Sequence, residues 1–145
     1  MANPPPALTS LLSELGQIED QDLRAELLIE YSERFVPVPE TVARRPYPEV
    51  NRVPGCESEA FVFPEQRADG TYHFHFAVEN PQGISARALA VILQETVSGA
   101  PLSQVQAIED DLVFALFGTG LSMGKGLGLR NMVQCVRTIA GGTAR

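Results

Sequence analysis

Five prolines between residues 36 and 54 interrupt the chain about a quarter of the way along, and they limit what can fold on either side. They are Pro37, Pro39, Pro46, Pro48 and Pro54. Proline lacks a backbone donor and pushes the residue before it towards extended conformations. Neither a helix nor a central strand can therefore run through this stretch. We expect an extended arm, and segments of this length in a small domain are usually functional or disordered.

Two helices are predicted before the arm. The first is indicated by leucines with helical spacing that end at Gly16, namely Leu8, Leu11, Leu12 and Leu15. Asp20 or Asp22 is expected to cap the second helix, which should end near Arg34 and Phe35. Its predicted buried stripe consists of Leu23, Leu27, Leu28 and Tyr31.

A β-hairpin is predicted after the arm. Residues 60–63 have strand character, residues 67–70 form a turn signal, and residues 71–79 alternate between two faces. We expect the aromatic side chains of the second strand to face the core. His73 and His75 should then face outward.

Helices return after the hairpin. We predict a helix over residues 85–98, a short one that starts at Ser103 or Asp110 and runs through Phe117, and a last one from Lys125 or Gly126 to about Ala140. Helices, a hairpin and more helices indicate an α+β fold. We expect helices packed on one face of a small antiparallel sheet, in a single domain over residues 1–145.

Charge and hydropathy exclude several classes of protein. The chain has 18 acidic and 11 basic residues, for a net charge of -7, which argues against binding to the nucleic-acid backbone. The longest apolar run, residues 88–93, is much shorter than the roughly 20 residues that cross a bilayer. The N-terminus lacks the features of a signal peptide. We expect a cytoplasmic protein without membrane or nucleic-acid partners.

The two cysteines have different surroundings in the sequence. Cys135 lies among apolar residues of the last helix and is expected to be core. Cys56 follows Gly55 where the arm meets the first strand, and glycine there allows a partner to approach closely. Glu57 and Glu59 argue against a self-activated nucleophile. A thiol that attacks an already electrophilic sulfur needs less activation, although a structural loop cysteine remains an alternative.

Other candidate sites are weaker. His73 and His75 could share a metal ion but have no third ligand nearby in sequence. The glycine-rich segment before Lys125 does not meet the spacing of a phosphate-binding loop. No metal or cofactor is therefore expected. Three arginines on the arm could form a docking patch or could simply be solvated, namely Arg44, Arg45 and Arg52.

Two motifs resemble those of the SufE family. Residues 53–58, VPGCES, are similar to its VxGCxS signature, and residues 121–129, LSMGKGLGL, resemble its L[ST]PSRxxGL motif. The helices before the arm, the proline-rich arm and the hairpin also match the family, so the resemblance covers nearly the whole chain. Lys125 stands where the family often has arginine.

The resemblance implies that Cys56 is a persulfide acceptor. Its sulfur would come from a pyridoxal-phosphate cysteine desulfurase, which the chain would stimulate, and would pass to an Fe–S cluster scaffold. No independent catalytic activity is expected. Gly55 and Ser58 would support the loop, which family members usually hold against an apolar cavity, and Lys125 would contact the partner or the persulfide.

Two other functions are compatible with the residues alone. One is a non-enzymatic interaction module in which Cys56 is structural. The other is a thiol peroxidase or reductase in which Cys135 resolves an oxidised Cys56. The second of these requires access between the two sulfurs, which the helical position of Cys135 does not favour.

Overall fold

The computed structural model describes residues 2–142 and has an α+β fold, as predicted. Its elements are α1 (Pro6–Gly16), α2 (Gln21–Glu33), a 3-10 turn (Glu49–Asn51), β1 (Ala60–Gln66), β2 (Tyr72–Val78), α3 (Ile84–Val97), α4 (Leu102–Gln106), α5 (Leu112–Phe117) and α6 (Met123–Ala140). The strands pair antiparallel, from Ala60 opposite Val78 to Gln66 opposite Tyr72. The predicted hairpin is therefore confirmed.

The helices pack on one face of this sheet. Phe74 and Phe76 of β2 are buried there together with Val62 of β1. The central helix α3 contributes Leu89 and Ile92, neither of which is exposed, and α1, α2 and α6 pack around it. This layer forms the main hydrophobic core.

The proline-rich arm covers the opposite face of the sheet. Val38 packs with Phe61, Phe63 and Ala77 in a second, smaller apolar cluster, against which Tyr47 also lies. The arm contains one 3-10 turn and one isolated β-bridge, between Arg52 and Phe61, and otherwise no regular structure among its residues. The predicted arm is thus an ordered one, and its role in closing the second face of the sheet was not anticipated.

His73 and His75 lie on the arm side of the sheet, as the alternation predicts, but both are half-buried and both have partners. His75 Nε2 lies 2.9 Å from Glu65 Oε1, and His73 Nδ1 lies 3.1 Å from Arg67 Nη2. Desolvation, with the neighbouring His75 and Arg67, lowers the pKa of His73 below its usual 6.5. Within residues 2–142 no group of three or more side chains is arranged to hold a metal ion.

Several helix predictions need correction. Leu23 is 46% exposed and does not belong to a buried stripe; Leu27, Leu28 and Tyr31 are only half-buried. The reason is that α2 is an outer layer that packs mainly on α3. Asp20 does cap α2, through bonds to the backbone N–H groups of residues 22 and 23.

The chain after the hairpin holds four helices where three were predicted. The segment after α3 forms two short helices, α4 and α5. Helix α6 begins at Met123, before the expected Lys125, because the Ser122 hydroxyl caps it by accepting from the Lys125 N–H at 3.2 Å. Cys135 is buried on α6, as predicted. No helix in the described part of the chain has the length and apolar character needed to span a membrane.

Candidate functional site

Cys56 lies on a short loop whose ends are fixed to each other and to the sheet. The Val53 N–H donates to the Ala60 carbonyl at 2.8 Å and closes the base of the loop. The second half of the loop is bound to the chain just after β2, where Glu79 N–H donates to Glu59 O and Asn80 N–H donates to Ser58 O, both at 3.1 Å. Residues 54–57 project from this base.

Two residues of the loop have positive φ. Gly55 has φ +65°, where a side chain would be strained, so the predicted supporting role of this glycine has a clear backbone basis. Glu59 has φ +53°, which is uncommon for a residue other than glycine. Its N–H donates to the Cys56 carbonyl at 3.2 Å. The chain therefore makes a tight turn around Cys56.

Helix α6 supports the first half of the loop. Asn131 Nδ2 donates to the Pro54 carbonyl at 2.8 Å. Gly128 lies directly against the cysteine: a Cβ atom added there would stand 2.9 Å from Cys56 Cα and 3.3 Å from Cys56 Sγ. No residue with a side chain could occupy position 128 without displacing the loop.

One cleft of about 380 Å³ is lined by three of the predicted site residues, namely Cys56, Ser58 and Lys125. The Cys56 side chain is half-buried and also packs against the main core. Polar side chains form much of the wall, namely Glu57, Ser58, Asn80, Gln82, Ser85 and Lys125. The thiol thus has apolar core behind it and a cleft with many polar side chains in front.

The N-terminal turn of α6 brings opposite charges to the cleft. A Cβ atom at Gly124 would lie 2.8 Å from Glu57 Oε1, so this carboxylate rests over the first turn of the helix, where the helix dipole favours negative charge. Lys125 belongs to the same turn and is exposed. Among the ion pairs of residues 2–142, none involves Lys125. Its ammonium group can therefore respond to an anion that enters the cleft.

Two of the three arginines of the arm make ion pairs with neighbouring carboxylates. Arg45 makes two hydrogen bonds to the Glu79 carboxylate, at 2.7 and 2.9 Å, which lower the pKa of Glu79. Arg52 pairs with Glu49 at 3.1 Å. Only Arg44 of the three is exposed and without an ion pair to another of the described residues.

The sequence reasoning missed four residues that support the Cys56 loop, namely Asn80, Gly83, Gly128 and Asn131. Gly83 lies so close to the loop that an added Cβ would be 2.9 Å from Ser58 Cβ. The glycines of α6 did carry a signal, since glycine within a helix costs about 1 kcal/mol relative to alanine and usually marks a close approach. The two asparagines carried none.

Comparisons with known proteins agree with this architecture. The family model described as "SufE: Fe-S metabolism associated domain" matches residues 9–140. The solution structure of a hypothetical protein from Thermus thermophilus superimposes with a TM-score of 0.71 at 22% identity, and the match covers 96% of each chain. No curated protein matches the chain. The structural likeness supports the fold, and because the family model spans most of the sequence, the chain belongs to the SufE family, which is associated with Fe–S metabolism.

Proposed function

We propose that this protein is a sulfur acceptor that carries a persulfide on Cys56. The sulfur comes from the active-site cysteine of a pyridoxal-phosphate cysteine desulfurase and passes to an Fe–S cluster scaffold. The observation that carries the proposal is the position of Cys56 on a tight, glycine-containing loop at the wall of a cleft that also holds Lys125. Membership of a family associated with Fe–S metabolism supplies the biological setting.

The transfer is a thiol–persulfide exchange that needs no added oxidant. The Cys56 thiolate attacks the terminal sulfur of the partner's persulfide, and a new S–S bond forms at Cys56 Sγ. The bond between that terminal sulfur and the partner's cysteine breaks, and its electron pair leaves with the partner's cysteine as a thiolate. The proton released by Cys56 balances the one that this thiolate later takes up. Because the desulfurase regains its free cysteine, its turnover is stimulated.

The cleft suits an accepting thiol better than a self-sufficient catalyst. Within residues 2–142, Cys56 is not hydrogen-bonded to a histidine or another general base that would activate it. Lys125 supplies positive charge on the same cleft wall and would attract the incoming anionic persulfide. The chain itself is expected to bind no cofactor, since pyridoxal phosphate would belong to the partner.

The peroxidase alternative fits this geometry poorly. Cys135 lies seven residues beyond Gly128, which is roughly 10 Å farther along α6. Gly128 is the residue against which Cys56 rests. A disulfide normally needs Cα atoms within about 7 Å. An intramolecular bond between the two cysteines would require a large movement of the loop.

Intact-mass analysis after incubation with a cysteine desulfurase and free cysteine tests the proposal. The wild-type chain should gain one sulfur atom, and the gain should disappear on treatment with a reductant. Cys56→Ser should gain none. Cys135→Ala is the matched control and should load as the wild type does.

Two results would contradict the proposal. One is the absence of any sulfur gain with desulfurases that load other acceptors under the same conditions, which would favour the interaction module with a structural Cys56. The other is equal loading of Cys56→Ser. The rate of alanine formation by the desulfurase, measured with and without the acceptor, separately tests the expected stimulation.

A further inference from the structure

The Cys56 loop lies along one face of α6, with successive loop residues against successive turns of the helix. Glu57 rests over Gly124, Cys56 over Gly128, and the Pro54 carbonyl is bound by Asn131. These three helix positions are spaced i, i+4 and i+7, which places them on one side of a helix. Two of the three have no side chain, so the Cys56 backbone reaches the helix at Gly128 and the Glu57 carboxylate reaches it at Gly124.

The two halves of the loop are held by different elements. Residues 58 and 59 are bound through their carbonyls to backbone N–H groups just after β2. The first half, residues 54–56, is held on α6 by one hydrogen bond, from Asn131 Nδ2, and by the contact of Cys56 with Gly128. Gly55 is exposed, and the atoms nearest to its added Cβ would belong to the Asn131 and Leu127 side chains of α6. Besides the turn bond from the Glu59 N–H to the Cys56 carbonyl and the packing of Cys56 on the core, the half that carries the thiol is held by these contacts with α6.

We infer that Gly128 and Asn131 are positioning residues that hold Cys56 in its half-buried place and thereby set how often its thiol is presented to a partner. The biological meaning of this inference rests on the proposed sulfur transfer, whereas the positioning itself can be measured without it. Gly128 permits the contact because it has no Cβ, and Asn131 fixes the carbonyl two residues before the cysteine. Loss of either shifts the loop towards positions in which Cys56 is more accessible.

Alkylation of Cys56 by iodoacetamide, followed by peptide mapping under native conditions, tests the positioning directly. The rate for a partly covered thiol follows the fraction of molecules in which the loop is open. Asn131→Ala removes one hydrogen bond and should accelerate alkylation about three- to tenfold. Gly128→Ala should accelerate it by at least about tenfold, because the new methyl group meets the Cys56 backbone, which cannot rotate away as a side chain would.

Gly126→Ala is a matched control on the same helix. Gly126 is also buried, but its added Cβ would meet only the Arg130 guanidinium, at 3.2 Å, which is the end of a flexible side chain. Both glycine replacements raise helix propensity to the same extent. Alkylation in Gly126→Ala should therefore stay at the wild-type rate.

Equal alkylation rates in all four proteins would overturn the inference, and so would the same acceleration in Gly126→Ala as in Gly128→Ala. Thermal unfolding identifies a variant that does not fold, and if Gly128→Ala fails in this way, Asn131→Ala decides the question by itself. These measurements use no desulfurase, so a failure of sulfur transfer leaves them interpretable.

A second readout separates positioning from a merely structural effect. If the desulfurase binds the open loop, a protein in which the loop is already open binds at a lower concentration. In desulfurase assays both variants should lower the concentration of acceptor that gives half-maximal stimulation by about three- to tenfold and leave the maximal rate unchanged. A lower maximal rate without a change in the half-maximal concentration would contradict the inference.

Discussion

At the scale of single residues, Cys56 is held in place by the small size of its neighbours. A Cβ atom added at Gly83 or at Gly128 would lie about 3 Å from atoms of the loop. Gly55 adopts a left-handed conformation. The sulfur is therefore left open to the cleft while its backbone is confined. This arrangement suits a thiol that rests in one position and is presented to a second protein when the loop opens.

Lys125 is the charged residue whose role in the proposed transfer is easiest to test. It lines the Cys56 cleft and would attract the anionic persulfide, so Lys125→Glu should slow sulfur loading of Cys56 by about three- to tenfold at low salt, an effect of the size expected for an exposed charge. Loading is followed by intact mass over time with a fixed amount of desulfurase. The difference should shrink as salt is added.

Arg130→Glu provides the control for Lys125. Arg130 lies on the same helix, is exposed, and lines a different groove, so its reversal changes the net charge equally without touching the Cys56 cleft. An equal loss of rate in both variants would assign the effect to general repulsion from the partner. An unchanged rate in Lys125→Glu would remove Lys125 from the mechanism.

Sequence reasoning reaches the residues that carry chemistry more readily than those that hold them. Cys56 stood out as a thiol next to a glycine at the end of the arm, and Lys125 because it stands where the resembling family often has arginine. Asn131 is one of many polar residues on a helix surface, and only the three-dimensional fold shows that its amide meets a carbonyl 77 positions away. Contacts of this kind leave no local pattern to read.

At the scale of elements, the small sheet is closed along the outer edge of β2. The Phe74 N–H donates to Ser98 Oγ at 3.0 Å, and its carbonyl accepts from Gln94 Nε2 at the same distance. Gly99 N–H donates to Tyr72 O, and Val38 N–H donates to Phe76 O, each at 2.8 Å. The end of α3 and the start of the arm thus replace a third strand, which protects this edge from pairing with other chains.

Ser98→Ala should destabilise the fold, because it leaves the Phe74 N–H without its acceptor beside a fully buried side chain. We expect a loss of about 1–3 kcal/mol in the free energy of unfolding, measured by urea denaturation. Ser10→Ala, on the exposed face of α1, is the control and should change the free energy by less than about 0.5 kcal/mol. Equal stability of Ser98→Ala and wild type would show that water satisfies this group.

The elements differ in how well their sequence predicts them. The hairpin and the central helix α3 follow from local patterns. Strand alternation acts within a few residues, and so does the helix stop formed by Gly99 and Pro101. The stripe proposed for α2 failed at Leu23 because spacing alone does not show how many sides of a helix are covered. The start of α6 was predicted two residues too late because the capping serine, Ser122, was not recognised in the sequence.

At the scale of the whole molecule, the arm converts a hairpin with one covered face into a sheet with two. Val38 and Tyr47 lie on Phe61 and Phe63 on the side opposite to the helices. The same arm ends at the Cys56 loop, so one segment links the closing of the sheet to the placing of the thiol. Its prolines excluded helix and strand but could not show which surface it would cover, because that depends on contacts distant in sequence.

The arm side of the molecule also determines how stability depends on pH. The pKa of Glu79 is lowered by hydrogen bonds from Arg45, that of Glu65 by a hydrogen bond with His75, and that of Asp69 by hydrogen bonds with Thr71. The pKa of His73 is lowered chiefly by desolvation. All four groups bind protons less readily in the folded state than in the unfolded chain. Their contributions to stability are therefore present at neutral pH and are lost on acidification.

Urea midpoints measured from about pH 7.5 to about pH 3.5 should accordingly fall in two stages. The first stage begins below the ordinary His73 pKa of 6.5 and should amount to less than about 1 kcal/mol, because the imidazole is only half-buried. The second begins below the ordinary glutamate pKa of 4.5, as Glu65 and Glu79 are protonated. His73→Gln should flatten the first stage and leave the second, whereas Arg45→Met should weaken the second and leave the first. A midpoint that stays constant or rises between about pH 7 and about pH 5 would show that charging His73 does not oppose folding.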